Sequence, residues 1–147
     1  MKESIFDIVN NADRCAQILR EHRWPDGITC PRCSSGSIRI RSRRRDGICY
    51  YQCKKCLKGF SDTTGTIFER SHLMIDKWFQ IAFLMRRNLP DIDIAQDAGV
   101  EENTARRATQ LIRGSAFFKD ALPMSFQSSG SGRCLRECRP QRQWTQV

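Results

Sequence analysis

No stretch of this 147-residue sequence reaches the roughly 18 consecutive apolar residues that a membrane-spanning helix needs, so no span of a membrane is expected. Nor does it open like an export signal. Met1 to Val9 carries acids and no small-residue cleavage site. Acidic charge is also scarce, at 16 Asp and Glu against 25 Lys and Arg, for a formal net charge of +9. That imbalance predicts an anionic partner, a nucleic acid or a membrane surface. Without an export signal, the eight cysteines point to metal binding or free thiols ahead of disulfides, and a cytoplasmic location follows. The length suits one compact domain or two small modules.

Along the chain, Phe6 to Trp24 reads as one short amphipathic helix, with Ala12, Cys15, Ile18 and Leu19 at helical spacing, stopped by Pro25-Asp26-Gly27. Between Ile28 and Ser61 two β-type runs appear, Ser37 to Arg41 and Ile48 to Gln52. Strict alternation in the first predicts a half-buried strand with arginines on its wet face. Thr63 to Phe68 is a Gly-containing connector. Met74 to Arg87 predicts an apolar helix whose polar positions before Arg86 are Asp76, Lys77 and Gln80; such a helix belongs between modules or in a dimer interface. Ile92 to Arg113 reads as two helices around Gly99. After Pro123 the low-complexity run Ser128 to Gly132 and an aperiodic end predict a disordered tail.

Two C-x-x-C units carry the sharpest chemistry. Cys30-Pro31-Arg32-Cys33 and Cys53-Lys54-Lys55-Cys56 are separated by residues 34–52, a spacing that suits a four-cysteine zinc site. Each unit can form a knuckle that places two sulfurs on one cation, with a hairpin between them closing the tetrahedron. So small a β module has too little core to be stable alone, and one structural Zn2+ is expected to supply much of its folding free energy. Four thiolates around a dication leave about −2, which Arg32, Lys54, Lys55 and Lys58 are placed to offset. A rubredoxin-like iron site uses the same donor geometry and is the rival metal. Cys15 and Cys49 have no C-x-x-C mate and read as buried structural thiols.

Arg39, Arg41, Arg43, Arg44 and Arg45 crowd the hairpin between the knuckles and predict phosphate contacts. One of the adjacent Tyr50 and Tyr51 must face the core, so the pair is weak evidence for base stacking. Ile94 to Val100 followed by Thr104 to Arg113 has a helix-turn-helix layout. At 100° per residue, Thr104, Ala105, Ala108, Leu111 and Ile112 share one face of the second helix, and Asn103, Arg106, Arg107, Gln110 and Arg113 the other. Asn and Gln pair with adenine edges and Arg with guanine, so that second face suits a major groove of double-stranded DNA.

Read in order, these residues resemble the N-terminal part of a bacterial insertion-sequence transposase family that carries a transposase zinc-ribbon domain. The matching series runs from Arg23-Trp24-Pro25-Asp26-Gly27 through both C-x-x-C units, Tyr51-Gln52, Phe60-Ser61 and Thr64-Gly65-Thr66-Ile67-Phe68 to Lys77-Trp78-Phe79, and with the helix pair covers residues 5–115. The resemblance implies binding to terminal inverted repeats ahead of a ribonuclease-H-type catalytic domain. In the family a strand reading Val-Asp-Glu-x-Tyr opens that domain; here Ser129 to Val147 holds a single acid, Glu137. Two-metal phosphoryl transfer needs several packed carboxylates, so no strand transfer and no catalytic residue are expected. Ser129 to Arg139 can also be encoded so that dropping one base reads Val-Glu-Val-Asp-Asp-Ala-Tyr-Val-Asn-Ala. The tail is therefore expected to be a frameshifted stretch that truncates a transposase, with Cys134 and Cys138 outside any metal site.

The fold expected is α+β: an N-terminal helix and turn over 1–27, a zinc ribbon of short antiparallel strands over 28–62, a connector and apolar helix over 63–90, a helix-turn-helix over 91–115, and a disordered or frameshifted tail over 116–147. The function expected is zinc-dependent binding of DNA, as a homodimer or beside an intact transposase. A free-standing zinc-ribbon and helix-turn-helix transcriptional regulator is the first alternative, and an iron electron carrier the second.

Overall fold

The computed structural model describes residues 5–117. All of the expected tail beyond Phe117, and with it the reading-frame argument built on Ser129 to Arg139, lies outside the described residues, as do Cys134 and Cys138. In chain order the elements are α1 (Ile5–Val9), α2 (Ala12–Arg23), β1 (Ile38–Arg43), β2 (Cys49–Cys53), β3 (Gly59–Ser61), α3 (Ile75–Met85), α4 (Asp91–Ala98) and α5 (Glu102–Gly114). The strands form one antiparallel sheet in the order β1-β2-β3. The fold is α+β, a small ribbon set among helices.

The N-terminal helix is two helices rather than one. Asn11 lies in extended backbone, and its side chain accepts the Arg14 N–H at 3.1 Å, so the residue starts α2 instead of continuing α1. Asp13 in the first turn and Arg20, His22 and Arg23 in the last complement the helix dipole. Cys15, Ala16, Ile18 and Leu19 form the buried face. Pro25 follows Trp24, disfavouring helical backbone there and ending α2.

Strand β1 departs from its sequence pattern. Ile38 is only half-buried, and Ile40 and the rest of the strand are exposed. The register slips between Ile40 and Ser42, which leaves Arg41 as the extra residue of a bulge. Residues directly opposite share a face, so Ile38 and Ile40 lie with Cys53 and Tyr51, whereas beyond the bulge it is Arg43 that lies with Cys49. The apolar alternation of β1 thus faces a ribbon too small to cover it. The third strand, centred on buried Phe60, is too short for periodicity to reveal.

Two apolar clusters result. The larger takes the buried faces of α1 to α5 with Ile48 and Phe68; the smaller is Trp24, Cys30, Cys49, Tyr51, Cys53 and Phe60. Helix α3 lies between modules, packing against α1, α2, α4 and α5. Its polar stripe is tied down: Lys77 Nζ donates to the Ala98 carbonyl at 2.7 Å, and Gln80 Nε2 to Asn10 Oδ1 at 3.0 Å. Between α4 and α5, Gly99 adopts φ +66°, and Val100 N–H reaches the Ala95 carbonyl at 2.9 Å in a Schellman-type turn. Phe117, at the start of the expected tail, stacks edge-on against His22, Phe68 and Phe79, at 4.8, 5.7 and 6.0 Å between ring centroids.

Candidate metal centre and nucleic-acid interface

Both C-x-x-C units fold alike. In the first, Ser34 N–H donates to the Cys30 carbonyl at 2.9 Å and Cys30 N–H to the Ser35 carbonyl at 2.9 Å. In the second, Leu57 N–H donates to the Cys53 carbonyl and Cys53 N–H to the Lys58 carbonyl, each at 3.0 Å. Ser34 and Leu57, each following the second cysteine of its unit, share the left-handed conformation at φ +57° and +61°. These turns aim both thiols of a unit the same way. The bond from Lys54 N–H to the Ser37 carbonyl, at 2.9 Å, ties one knuckle to the chain leaving the other.

The four Sγ atoms lie within 4.8 Å of one another, with Cys30 to Cys56 at 3.6 Å and Cys33 to Cys53 at 3.5 Å. A tetrahedral zinc with bonds of about 2.3 Å sets its sulfurs about 3.8 Å apart, so the donor set fits that ion. The N–H groups of Cys56 and Lys55 point at Cys53 Sγ, from 3.5 and 3.4 Å. They hold the pKa of its thiol down to about 6, against the opposing effect of burial, and so favour the thiolate a metal needs. Cys15 and Cys49 are both fully buried and lie apart from this cluster. Cys15 donates to the Ile8 carbonyl at 3.2 Å, and Cys49 Sγ accepts from Arg20 at 3.3 Å.

Sequence reasoning missed the group that fastens the ribbon to the helices. Asp62, fully buried, takes a two-pronged ion pair from Arg20 of α2 at 2.8 and 3.2 Å, the Tyr51 hydroxyl at 2.7 Å and the Cys49 N–H at 2.7 Å. Burial works against the Arg20 charge, and Asp62 more than compensates, raising its pKa. Burial first, and the Asp62 charge second, push the Tyr51 hydroxyl well above its usual range. Arg23 donates to the Asp62 carbonyl at 2.8 Å and lies 4.4 Å over the Trp24 ring, which packs edge-on against Tyr51 and Phe60. The Arg23-Trp24 pair therefore builds the ribbon core.

All five hairpin arginines are exposed, but they differ in freedom. Arg43 pairs with Asp13 of α2 at 2.6 Å, Arg44 pairs with Asp46, and Arg39 donates to Gln52 at 2.9 Å. Arg41 and Arg45 make no such bond among the described residues. Tyr51 faces the core and Tyr50 solvent. On α5, Asn103, Arg106, Arg107, Gln110 and Arg113 are all exposed, while Ala105, Ala108, Thr109 and Ile112 are buried. Leu111, expected inside, is 39% exposed, and Thr109 takes the inner place. The Thr109 hydroxyl reaches Asp91 Oδ1 at 3.2 Å, a polar lock between α4 and α5 that an apolar-face count overlooks.

The tetrathiolate between two matched knuckles makes this a zinc-ribbon protein. Residues 10–58 match the model of the transposase zinc-ribbon domain, and that stretch is such a domain holding one structural Zn2+. An uncharacterized protein in transposable element ISH50 of Halobacterium salinarum is 34% identical over 98 residues. That alignment spans 66% of this chain and 33% of the relative, so the chain matches about a third of the relative's length. The protein is transposase-related. No solved structure matches it.

Proposed function

We propose that this protein binds double-stranded DNA and recognises the terminal inverted repeats of an insertion sequence. The carrying observation is α5: its five groove-suited side chains are all exposed, while its opposite face is locked onto α3 and α4 beside a transposase zinc-ribbon domain. Asn103, Arg106, Arg107, Gln110 and Arg113 read base edges. Arg39, Arg41, Arg43, Arg44 and Arg45 contact phosphates, with Arg41 and Arg45 the least committed to internal pairs. The zinc is structural and holds the hairpin in place.

The activity proposed is binding without strand transfer. Two-metal phosphoryl transfer requires converging carboxylates, and the metal-capable cluster among the described residues is a set of thiols. Among the described residues no helix is long and apolar enough to cross a membrane. The cytoplasm, where thiols stay reduced, is the compartment that fits a DNA-bound zinc protein. A second copy of the chain, or an intact transposase on the same ends, is the protein partner consistent with this reading.

The test is binding of the zinc-loaded chain to duplexes carrying the inverted repeats of its own element, against scrambled duplexes at matched salt. Preference for the repeats is expected. Arg107→Ala should relax that preference, at a cost of about 1–3 kcal/mol on the preferred site. Arg41→Ala with Arg45→Ala should instead weaken binding to all sequences and flatten its salt dependence. Equal affinity for repeats and scrambled duplexes would overturn the proposed target.

A further inference from the structure

The segment from Glu69 to Leu73 joins the ribbon to α3, and nothing in the metal site or the α5 face requires its particular residues. It borders two cavities. The larger, about 330 Å³, lies between this segment and the N-terminal half of α5, where Arg70 and His72 face Asn103 and Arg107. The smaller, about 120 Å³, lies between the same segment and the hairpin, where Arg70 is joined by Arg44 and Tyr50. Arg70 and Trp78 line both. A basic path therefore leads from the hairpin across Arg70 and His72 to the start of α5.

Three features mark the middle of this path. Arg70 sits at φ +58°, a left-handed conformation rare for a side chain of its size. Neither Arg70 nor His72 makes a hydrogen bond or ion pair among the described residues, and both are exposed. The indole of Trp78 is buried, and its N–H has no acceptor among the described residues. Of the nearby acids, Asp46 pairs with Arg44, while Glu69 accepts the Gly65 N–H at 2.9 Å and lies along the rim of the larger cavity. Backbone held in an uncommon conformation to present an unpartnered cation points to an external ligand, and cations spaced along a path suit a polyanion.

We infer that residues 69–73 form a phosphate seat, over which the sugar–phosphate backbone of the bound duplex passes from Arg44, across Arg70 and His72, towards the start of α5. The inference rests on the DNA-binding reading and adds to it. The ribbon and α5 engage one continuous stretch of backbone, so the seat sets the register at which α5 meets the groove. Contacts of this kind position the protein without reading sequence.

The experiment uses the zinc-loaded full chain and a duplex that it selects from a random-sequence pool. Arg70→Gly, which suits the left-handed backbone, is combined with His72→Gln. Loss of the one cationic phosphate contact, that of Arg70, should reduce the slope of log affinity against log salt by about 0.9, the His72 contact being a hydrogen bond that adds little to it, with the selected sequence unchanged. Neutral methylphosphonate linkages, placed one at a time, should weaken the wild type at one or two positions and leave the double variant indifferent there. A variant that keeps the wild-type slope on a duplex the wild type binds would overturn the seat alone. A wild type that selects no duplex would overturn the DNA reading and the seat together.

Discussion

At the scale of single residues, Asp62 and the cysteine ligands hold the structure together in different ways. Asp62 is a fully buried carboxylate whose oxygens serve Arg20, Tyr51 and Cys49. Removing its charge strands a largely buried guanidinium, so Asp62→Asn should cost about 3 kcal/mol, read from urea unfolding with zinc present. A loss under about 1 kcal/mol would show that the network is not what fastens the ribbon. Replacing Cys30 or Cys53 by Ser should abolish stoichiometric zinc and unfold the ribbon, because three ligands lose much of the metal's contribution. Unchanged zinc content and far-UV spectrum would contradict the site. Cys15 is a different thiol: burial first, and the charge of Asp76 second, push it from 9.0 up to about 12. The folded state favours its neutral form, so this stability is complete below pH 9 and is lost as pH rises from 9 towards 12. Cys15→Ala should lessen alkaline destabilisation over that window, measured by denaturant midpoints from pH 8 to 11.

At the scale of elements, the hairpin turn is a second place, beside the Asp62 network, where the ribbon meets α2. Arg44 and Gly47 close the hairpin, Gly47 with φ +82°, and a Cβ there would lie 2.6 Å from Asp13 Oδ1 and 2.9 Å from Asp13 Cα. Both the backbone conformation and the contact with α2 demand glycine. Gly47→Ala should therefore destabilise by about 2–4 kcal/mol in thermal or urea unfolding. A neutral result would mean that α2 and the hairpin move apart freely. The bulge at Arg41 acts on the same junction, since it turns Arg43 to the side where Asp13 waits. That pair is exposed on both sides and contributes at most about 1 kcal/mol. It orients the hairpin more than it stabilises it.

At the scale of the whole molecule, two cores depend on one another. The larger is a helical cluster built on α3; the smaller surrounds the cysteines and has few residues to bury. Zinc stabilises the second directly, and the Arg20–Asp62 network passes that order to α2. Stripping the metal with a chelator should melt the ribbon first and leave α3 to α5 more protected, as followed by amide hydrogen exchange. Simultaneous loss of protection in both halves would instead mark a single cooperative unit. The placement of α3 against four other helices, with Phe68 and Trp78 beneath the connector, is what puts the ribbon and α5 along one basic path.

By itself the sequence determined the metal ligands, because a C-x-x-C knuckle is a local structure whose donors are set by spacing along the chain. It also determined the turn at Gly99 and the polar face of α5, since 3.6-residue periodicity places Asn103, Arg106, Arg107, Gln110 and Arg113 without reference to anything distant. The Asn11 cap was legible in principle, but the apolar spacing that runs through it hides the break between α1 and α2. Tertiary structure alone decided which arginines are free and which are paired. It also brought Arg20 to Asp62 and Arg70 to Arg107, and left the alternating isoleucines of β1 uncovered. These outcomes depend on partners brought together from separate segments by packing, and pairwise charge leaves no periodic trace in a linear sequence.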